Sequence, residues 1–217
     1  MASSTVTDST VVVAMVRDAQ AHPGDATSRL LLNCLDRLTG AGEDDVVIRR
    51  PRGRRPTARL DGRTIYLSVS HSADMAAAAA SLHPLGIDIE HIRMVHNVDG
   101  VGAHIAGFMP QHDIGGPQVD SHAEVLGAWT RYEATVKALG VGRALVPSEF
   151  DCNPAPKITF RGLDLPLKLT TAKLHKSGRN DHAGYLVSVA ARPTSNVVIN
   201  HGSDLGYTPI NYERQES

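Results

Sequence analysis

Leucines recur at helical spacing across residues 28–38, and a second helical pattern extends over residues 121–139. Each pattern ends at a glycine, Gly40 or Gly140, the residue type that most easily adopts the left-handed conformation after a helix. Ser121 and Glu124 have the spacing of a capping box at the start of the second helix. The chain is therefore predicted to contain these two long helices.

Shorter runs of β-branched and aromatic residues predict strands. The alanine-rich segment 75–82 is ambiguous, because alanine favours helix whereas its short length before Pro84 also suits a buried strand. The remaining runs are less equivocal, and strands are predicted at residues 46–48, 64–69, 85–89, 148–152, 157–160, 167–175 and 184–191.

A helix followed by strands occurs twice along the chain, so the predicted fold class is α+β, with two similar halves. Each half would be a small antiparallel sheet packed with a long helix, over residues 11–84 and 85–193. Residues 1–10 and 194–217 carry few apolar side chains and are expected to be loosely ordered tails. Residues 95–117, rich in glycine and histidine, are expected to form a flexible loop or lid.

Composition limits the classes of function. The 217 residues are 41% hydrophobic and 21% charged, and their formal net charge is −1, so no overall field attracts nucleic acid or a membrane surface. The two cysteines, Cys34 and Cys152, lie in no metal-binding or disulfide motif. The longest strongly apolar run, residues 11–16, is far shorter than a membrane span. We therefore expect a soluble, cytoplasmic protein.

A basic loop interrupts this balanced charge. Residues 49–56 read Arg-Arg-Pro-Arg-Gly-Arg-Arg-Pro, with five arginines within seven positions. Proline and glycine keep the segment out of a helix, and guanidinium groups bind phosphate oxygens in a bidentate manner. The alternatives are a solvated basic loop or a nucleic-acid patch, although no aromatic stacking residues accompany the arginines. The functional prediction for this loop is binding of a phosphate-containing ligand.

Carboxylates form a second group of candidate residues. Strand alternation places Asp88 and Glu90 on one face of the predicted strand at 85–89, where a hard cation such as Mg²⁺ would relieve their repulsion. An isolated pair of this kind is also common on a solvated amphipathic strand. Trp129, Glu133 and Lys137 share one stripe of the second helix, and the alternative for them is a core tryptophan beside a surface ion pair.

Taken in order, these elements resemble the motifs of the Sfp-type 4′-phosphopantetheinyl transferases over residues 28–191. The segment 129–137 is similar to a Trp-Thr-x-Lys-Glu-Ala-x-x-Lys pattern, with Tyr132 where the family has lysine, and Asp113 corresponds to an acid of the family's lid. The other matching elements are Arg29 in the first helix, the basic loop at 53–56, Ser70-His71-Ser72 at a strand end, and Gly-Ile-Asp-Ile-Glu at 86–90.

The resemblance implies a pseudo-dimer of the two α+β halves with the active site in the cleft between them, and a strand at 75–82. It also implies that the protein is an enzyme that uses coenzyme A and Mg²⁺. The 4′-phosphopantetheine arm of coenzyme A would pass to a serine hydroxyl of an apo acyl or peptidyl carrier protein, and adenosine 3′,5′-bisphosphate would be released. The carrier could serve fatty acid, polyketide or nonribosomal peptide synthesis. Because one chain holds both halves, a monomer is expected.

The resemblance also assigns roles to individual residues. Mg²⁺ would be held by Asp88, Glu90 and Glu133, with Glu133 also the general base and Lys137 its orienting partner. The phosphates of coenzyme A would contact Arg29, Arg55, Ser70 and His71, and Asp88 and Lys137 would lie beside them. Tyr132 and Asp113 suggest the alternative of a catalytically degenerate coenzyme A or carrier-protein binding module. Nucleic-acid binding through the arginine loop is a third, disfavoured alternative.

Overall fold

The structure, a computed structural model, describes residues 9–17, 23–51, 54–109, 121–141, 145–152, 158–176, 184–201 and 207–211. The helices in this part of the chain are α1 (Pro23–Thr39), α2 (Val98–His104) and α3 (Ser121–Leu139). The strands are β1 (Thr10–Arg17), β2 (Val47–Arg49), β3 (Thr57–Leu60), β4 (Arg63–Ser72), β5 (Met75–Ser81), β6 (Gly86–His91), β7 (Phe150–Asp151), β8 (Thr159–Phe160), β9 (Leu163–Asp164), β10 (Lys168–Lys176), β11 (Gly184–Ala191), β12 (Asn196–His201) and β13 (Tyr207–Asn211).

Two sheets pack face to face, and one long helix covers the outer face of each. The first sheet has the order β12-β1-β5-β4-β3-β2, and the second has the order β13-β10-β11-β6. All pairs are antiparallel except β1 with β12. A small third sheet, β7-β8-β9, packs beyond α3. The protein is a mixed α+β fold, as the sequence predicts.

Three of the apolar clusters that the described residues form hold these layers together. Between the sheets, alternate residues of β1 and β5 meet Ile87, Ile89 and the inward side chains of β11. The opposite residues of β1 and β5 pack against α1, and α3 packs with Phe108, Phe150 and the outer face of the second sheet. Both cysteine thiols are free and buried in these layers.

The alanine run is a strand, and this prediction is confirmed. Every residue of β5 is buried, because β5 lies between β1 and β4 with α1 on one face and the second sheet on the other. Small side chains allow both neighbouring layers to approach, and this packing overrides the helix preference of alanine. The two predicted helices are also confirmed; α3 matches its predicted bounds, and Gly40 and Gly140 follow the helices with φ near +71°.

Two other expectations are wrong for the residues that the structure describes. Within the expected loop at 95–117, α2 and a 3₁₀ turn at Ala106–Phe108 form, and Ile105 and Phe108 are fully buried. Within the expected tail at 194–217, β12 pairs with the edge of β1 and β13 pairs with β10. Exposed strand edges carry unpaired backbone groups that an added strand can satisfy, and in β12 the alternate residues Val197 and Ile199 also pack against the core between the sheets.

The predicted boundary at residues 84/85 is where the chain passes from the first sheet to the second, although β12 returns to the first sheet. The division into two similar halves stays a prediction. Residues 1–8 of the expected N-terminal tail lie outside the described residues. In the part of the chain that the structure describes, no helix is long and apolar enough to cross a membrane.

Candidate functional site

The two sheets are joined where a row of serines on β4 meets the outer edge of β6. Ser68 accepts a hydrogen bond from the Ile87 backbone N–H (3.1 Å), and Ser72 accepts one from the His91 N–H (3.0 Å). Because β6 is an edge strand of the second sheet, these N–H groups have no partner strand on that side. The serine hydroxyls take the place of that strand and bring β4 against β6.

Asp88 lies at the centre of this junction with its two carboxylate oxygens in different environments. Oδ1 accepts hydrogen bonds from the Ser70 hydroxyl and from Lys137 Nζ, each at 2.7 Å. Lys137 Nζ also donates to the Ile87 carbonyl oxygen at 3.1 Å. Oδ2 is buried and makes no hydrogen bond. Since Asp88 is only 5% exposed, one oxygen of a buried carboxylate is left without a compensating partner.

Burial raises the pKa of Asp88, and the nearby Glu133 carboxylate raises it further. The ammonium of Lys137 and the hydroxyl of Ser70 act in the opposite direction without cancelling the effect of burial. The charge of the buried Asp88 carboxylate is thus opposed by burial and by Glu133 more strongly than Lys137 and Ser70 favour it. A cation near Oδ2 would complete the electrostatics of this site.

A glycine allows α3 to bring Lys137 over Asp88. A Cβ atom at Gly86 would collide with the Ala134 carbonyl oxygen and would lie 2.8 Å from the Cβ of Lys137. The helix is also fixed to the sheet by Thr130, whose hydroxyl is 2.8 Å from that of the buried Ser188. The Gly-x-Asp sequence of β6 therefore supplies both the close approach of the helix and the carboxylate beneath it.

Arg55 connects the basic loop to the C-terminal end of α3. Its Nε donates to the Lys137 carbonyl oxygen at 3.2 Å, its Nη2 donates to the Ala138 carbonyl oxygen, and the guanidinium lies over the Tyr66 ring at 5.5 Å. Burial lowers the pKa of Arg55. The guanidinium thus caps the negative end of the helix dipole, a role that the phosphate-binding expectation for this residue did not include.

The other two acids of the predicted metal site differ from Asp88. Glu90 accepts hydrogen bonds from Ser72 (2.9 Å) and Arg93 (2.7 Å). Glu133, half-buried on α3, makes no hydrogen bond or ion pair with any other described residue, and Lys137 pairs with Asp88 rather than with it. Among the described residues, no three histidine, cysteine, aspartate or glutamate side chains form a metal-binding group by themselves.

The available oxygens nevertheless suit a hard divalent cation. The unpartnered Asp88 Oδ2 and the neighbouring Glu133 carboxylate are the kind of donor that Mg²⁺ prefers. Mg²⁺ is usually bound by one or two carboxylates together with phosphate oxygens of a substrate and water, so two protein ligands are enough. Asp88 and Glu133 therefore fit Mg²⁺, whereas the contacts of Glu90 are already directed to Ser72 and Arg93.

The remaining predicted residues are not gathered around Asp88. Arg29 is exposed on α1, across the first sheet from β6, and lines a shallow surface cavity with Asp36 and Glu43. His71 is exposed on β4, and strand alternation turns its side chain to the opposite face from Ser70. Asp113 lies outside the described residues, as do positions 52–53 of the basic loop.

Tyr132, which stands where the family has lysine, does not flank the site. The ring is 6% exposed and packs against Phe108, Trp129 and Phe150, and its hydroxyl donates to the Leu145 carbonyl oxygen at 2.8 Å. One residue step along a helix turns a side chain by about 100°. Because Tyr132 precedes Glu133 by one residue, its side chain points away from β6 and into the core beneath the small third sheet.

One signal in the sequence points to this site in addition to the predicted residues, and the two cysteines do not belong to the site. The alternation Ser68-x-Ser70-x-Ser72 places three hydroxyls on one face of β4, which is a readable period-two signal. Burial raises the pKa of Cys34 and of Cys152 to about 12, so neither thiol has the thiolate character of a nucleophile.

In comparisons with known proteins, the chain matches no family model and no curated protein sequence. A functional assignment for this protein therefore depends on the order of its motifs and on the geometry around Asp88.

Proposed function

We propose that this protein is an enzyme that transfers the 4′-phosphopantetheine arm of coenzyme A to a serine hydroxyl of an apo carrier protein, with Mg²⁺ as cofactor. The observation that carries the proposal is the buried, unpartnered Oδ2 of Asp88 beside Glu133, within motifs that follow the order of the Sfp-type transferases. An unsatisfied buried carboxylate oxygen destabilises the folded protein. Such an oxygen is therefore more typical of a functional site than of a structural contact.

In the proposed reaction, the serine oxygen of the carrier protein forms a bond to the β-phosphorus of coenzyme A. The bond between that phosphorus and the bridging oxygen breaks, and adenosine 3′,5′-bisphosphate leaves. Glu133 accepts the proton of the serine hydroxyl, directly or through water. Glu133 suits this role because no other described residue holds its carboxylate by a hydrogen bond or an ion pair.

Asp88 and Glu133 would hold the Mg²⁺ ion, and Glu90, two residues further along β6, would act through water. When bound, Mg²⁺ neutralises negative charge on the pyrophosphate as the bond to the leaving oxygen breaks. Lys137 holds Asp88 in place and adds positive charge to the same region. The chain itself thus supplies positioning and electrostatic complementarity, which account for most of the catalysis in phosphoryl-type transfer.

The pseudo-dimer arrangement is part of this proposal. Each of the two main sheets is covered by one long helix, and the cleft would lie where β4, β6 and α3 meet. The proposed phosphate contacts are Arg29, Arg55 and His71. Because Arg29 and His71 lie away from Asp88, their contacts with the phosphates would require these parts of the chain to move when the coenzyme binds.

Mass spectrometry tests the activity directly. The protein is incubated with coenzyme A, Mg²⁺ and a panel of apo carrier proteins from fatty acid, polyketide and nonribosomal peptide systems. We expect at least one carrier to gain the mass of the phosphopantetheine arm, and we expect no gain in excess chelator or on a carrier whose acceptor serine is replaced by alanine. The absence of any mass gain across the panel would refute the transferase proposal.

Dephospho-coenzyme A tests the phosphate contacts. If Arg55 and His71 bind the 3′-phosphate, the natural protein should use dephospho-coenzyme A less well than coenzyme A. The variants Arg55→Gln and His71→Ala should then discriminate less between the two substrates, and the coupling of residue and phosphate is obtained from a double-mutant type of comparison. Unchanged discrimination would exclude these two residues from the 3′-phosphate site.

The second candidate is a coenzyme A or carrier-protein binding module without transfer activity. The observation that favours it is the core position of Tyr132, which stands where the family has lysine and supplies no charge for a phosphate. Such a module would bind coenzyme A in a calorimetric titration and yet produce no holo-carrier protein. Binding with transfer supports the enzyme, and binding without transfer supports the module.

A further inference from the structure

The serine row on β4 contacts β6 in two chemically different ways. The Ser68 hydroxyl accepts a hydrogen bond from the Ile87 backbone N–H and makes none with a carboxylate of the described residues. Ser70 donates its hydroxyl proton to Asp88 Oδ1, and Ser72, two residues further on, donates to Glu90 Oε2. The two-residue period of β4 thus matches the two-residue spacing of the acids on β6.

We propose that Ser70 is a positioning residue, which fixes the Asp88 carboxylate so that Oδ2 faces a bound divalent cation. The proposal deepens the transferase function and rests on it, since it concerns the same metal site. It assigns Ser70 a contact with a protein carboxylate in place of the phosphate contact expected from the sequence. The hydroxyl acts on the metal only through Asp88.

The stoichiometry of hydrogen bonding supports this role. A serine hydroxyl has one proton to donate, and Ser70 donates it to Asp88 Oδ1 at 2.7 Å. Ser70 is also only 9% exposed, so little of it is accessible to a ligand. A phosphate oxygen accepts hydrogen bonds, so it would have to compete with Asp88 Oδ1 for the single hydroxyl proton of Ser70. Loss of that hydrogen bond would leave a buried carboxylate oxygen with one donor fewer.

The geometry explains why two donors are needed on Oδ1. Lys137 approaches from α3 and Ser70 approaches from β4, so the two hydrogen bonds come from different layers. With one donor, the carboxylate is free to turn about the bond to its Cβ and exchange its two oxygens. With both donors, Oδ1 is occupied, and Oδ2 alone is presented as a ligand. Such partners around a ligating carboxylate commonly determine metal affinity.

The test measures metal affinity rather than turnover. Mn²⁺ is used as a spectroscopic probe for the Mg²⁺ site, and the free ion is followed by electron paramagnetic resonance during titration of the full chain in the presence of coenzyme A. We expect Ser70→Ala to weaken Mn²⁺ binding by about 10- to 100-fold, the usual effect of losing a residue that holds a metal ligand. Ser70→Cys, which retains a weak donor, should lie between Ser70→Ala and the natural protein.

Ser68→Ala is the matched control. It removes a hydroxyl from the same face of the same strand, from a residue that is 4% exposed, without touching a carboxylate. We expect it to lower the melting temperature and to leave Mn²⁺ affinity at the natural value. If Ser70→Ala does not fold, Ser70→Cys carries the same comparison against Ser68→Ala.

The outcomes separate this proposal from the proposed function. If the natural protein binds Mn²⁺ and the Ser70 variants bind it equally well, the positioning role is refuted and the transferase proposal stands. A raised KM for coenzyme A with unchanged Mn²⁺ affinity would also refute it, since that result indicates a phosphate contact. If the natural protein binds no Mn²⁺ with coenzyme A present, the metal-dependent function fails and the positioning role fails with it.

Discussion

Two aspartates, Asp74 and Asp88, each connect the first sheet to the second, but their carboxylates are satisfied to different degrees. Asp74 lies in the turn between β4 and β5. Its Oδ1 accepts a hydrogen bond from the hydroxyl of Tyr185 on β11, and its Oδ2 accepts one from Arg17 Nε at 2.9 Å. At Asp88, both donors bind the same oxygen and the other oxygen has none. The first junction is complete within the chain, and the second is not.

The pKa values of the two carboxyls reflect this difference. At Asp74, partial burial raises the pKa, but hydrogen bonds from Tyr185 and Arg17 outweigh that effect and leave the pKa below its usual value. At Asp88, burial outweighs Lys137 and Ser70 and leaves the pKa raised. The ionised form therefore stabilises the fold at Asp74 and destabilises it at Asp88. A carboxylate that opposes folding in this way is typical of a functional site.

The largest expected difference between the junctions is in activity. Asp88→Ala should lower transfer to the carrier protein by about 10³-fold or more, the effect of losing several kcal/mol of charge stabilisation. Asp74→Ala should retain the activity of the natural protein when it is assayed well below its melting temperature. The measurement is the initial rate of holo-carrier formation, with folding checked by circular dichroism. Equal losses in the two variants would remove the distinction between the junctions.

The next largest effect concerns stability at the complete junction. Asp74→Ala removes the carboxylate that accepts the hydroxyl proton of Tyr185, whose ring is 3% exposed. We expect the free energy of unfolding to fall by about 1.5–3 kcal/mol, the range for a hydrogen bond to a charged group. A double-mutant cycle with Tyr185→Phe, followed by urea denaturation, isolates the energy of this contact. Fully additive losses would mean that the contact does not stabilise the fold.

The same substitution at both junctions should change stability in opposite directions. Asp74→Asn removes a charge that favours the folded state, so the free energy of unfolding should decrease, by roughly 1 kcal/mol for a pair of this exposure. Asp88→Asn removes a buried charge that opposes folding, so the free energy of unfolding should increase while metal binding is lost. Thermal and urea unfolding at neutral pH measure the direction of the change in the free energy of unfolding for each variant. Destabilisation by Asp88→Asn would contradict the proposed imbalance at that site.

Two arginines, Arg55 at the end of α3 and Arg17 beside Asp74, should differ by a smaller amount in their contribution to the free energy of unfolding. Arg55→Gln removes donors from two carbonyl oxygens at the end of α3, and the free energy of unfolding should fall by about 1 kcal/mol. Arg17→Gln breaks a partly exposed ion pair, for which a loss of about 0.2–1 kcal/mol is typical. Urea denaturation of the two variants should rank Arg55 above Arg17. The reverse ranking would contradict the capping role of Arg55 at the C-terminal end of α3.

The smallest effect is the pH dependence of the complete junction. Because the folded pKa of Asp74 is lowered, its contribution to stability is present above the unfolded pKa and is lost as the pH falls through the folded value. The free energies of unfolding of the natural protein and of Asp74→Asn should therefore differ by a constant amount above about pH 5 and converge as the pH falls below about 4. Urea titrations across that range measure the difference. A difference that stays constant down to the lowest pH would mean that the charge of Asp74 does not stabilise the fold.

Local sequence signals predicted the elements of this protein well where the signal and the structure concern the same few residues. Helical spacing and a terminal glycine are enough for α3, which ends at Gly140 with φ +71°. Strand alternation also predicted that Asp88 would turn away from Ile87 and Ile89, which lie in the core between the sheets. Such patterns depend on backbone geometry within one element, so they can be read without knowing what packs against it.

Side-chain contacts between different layers could not be predicted from such local patterns. Glu133 is spaced to pair with Lys137 on the helix, but the close approach of α3 to Gly86 brings Lys137 to Asp88 instead. Arg55, expected to bind phosphate, caps α3, and β5 is a strand because two layers enclose it. In each case the local propensity is weak, on the order of 1 kcal/mol or less, and the burial and hydrogen bonding of the assembled layers outweigh it.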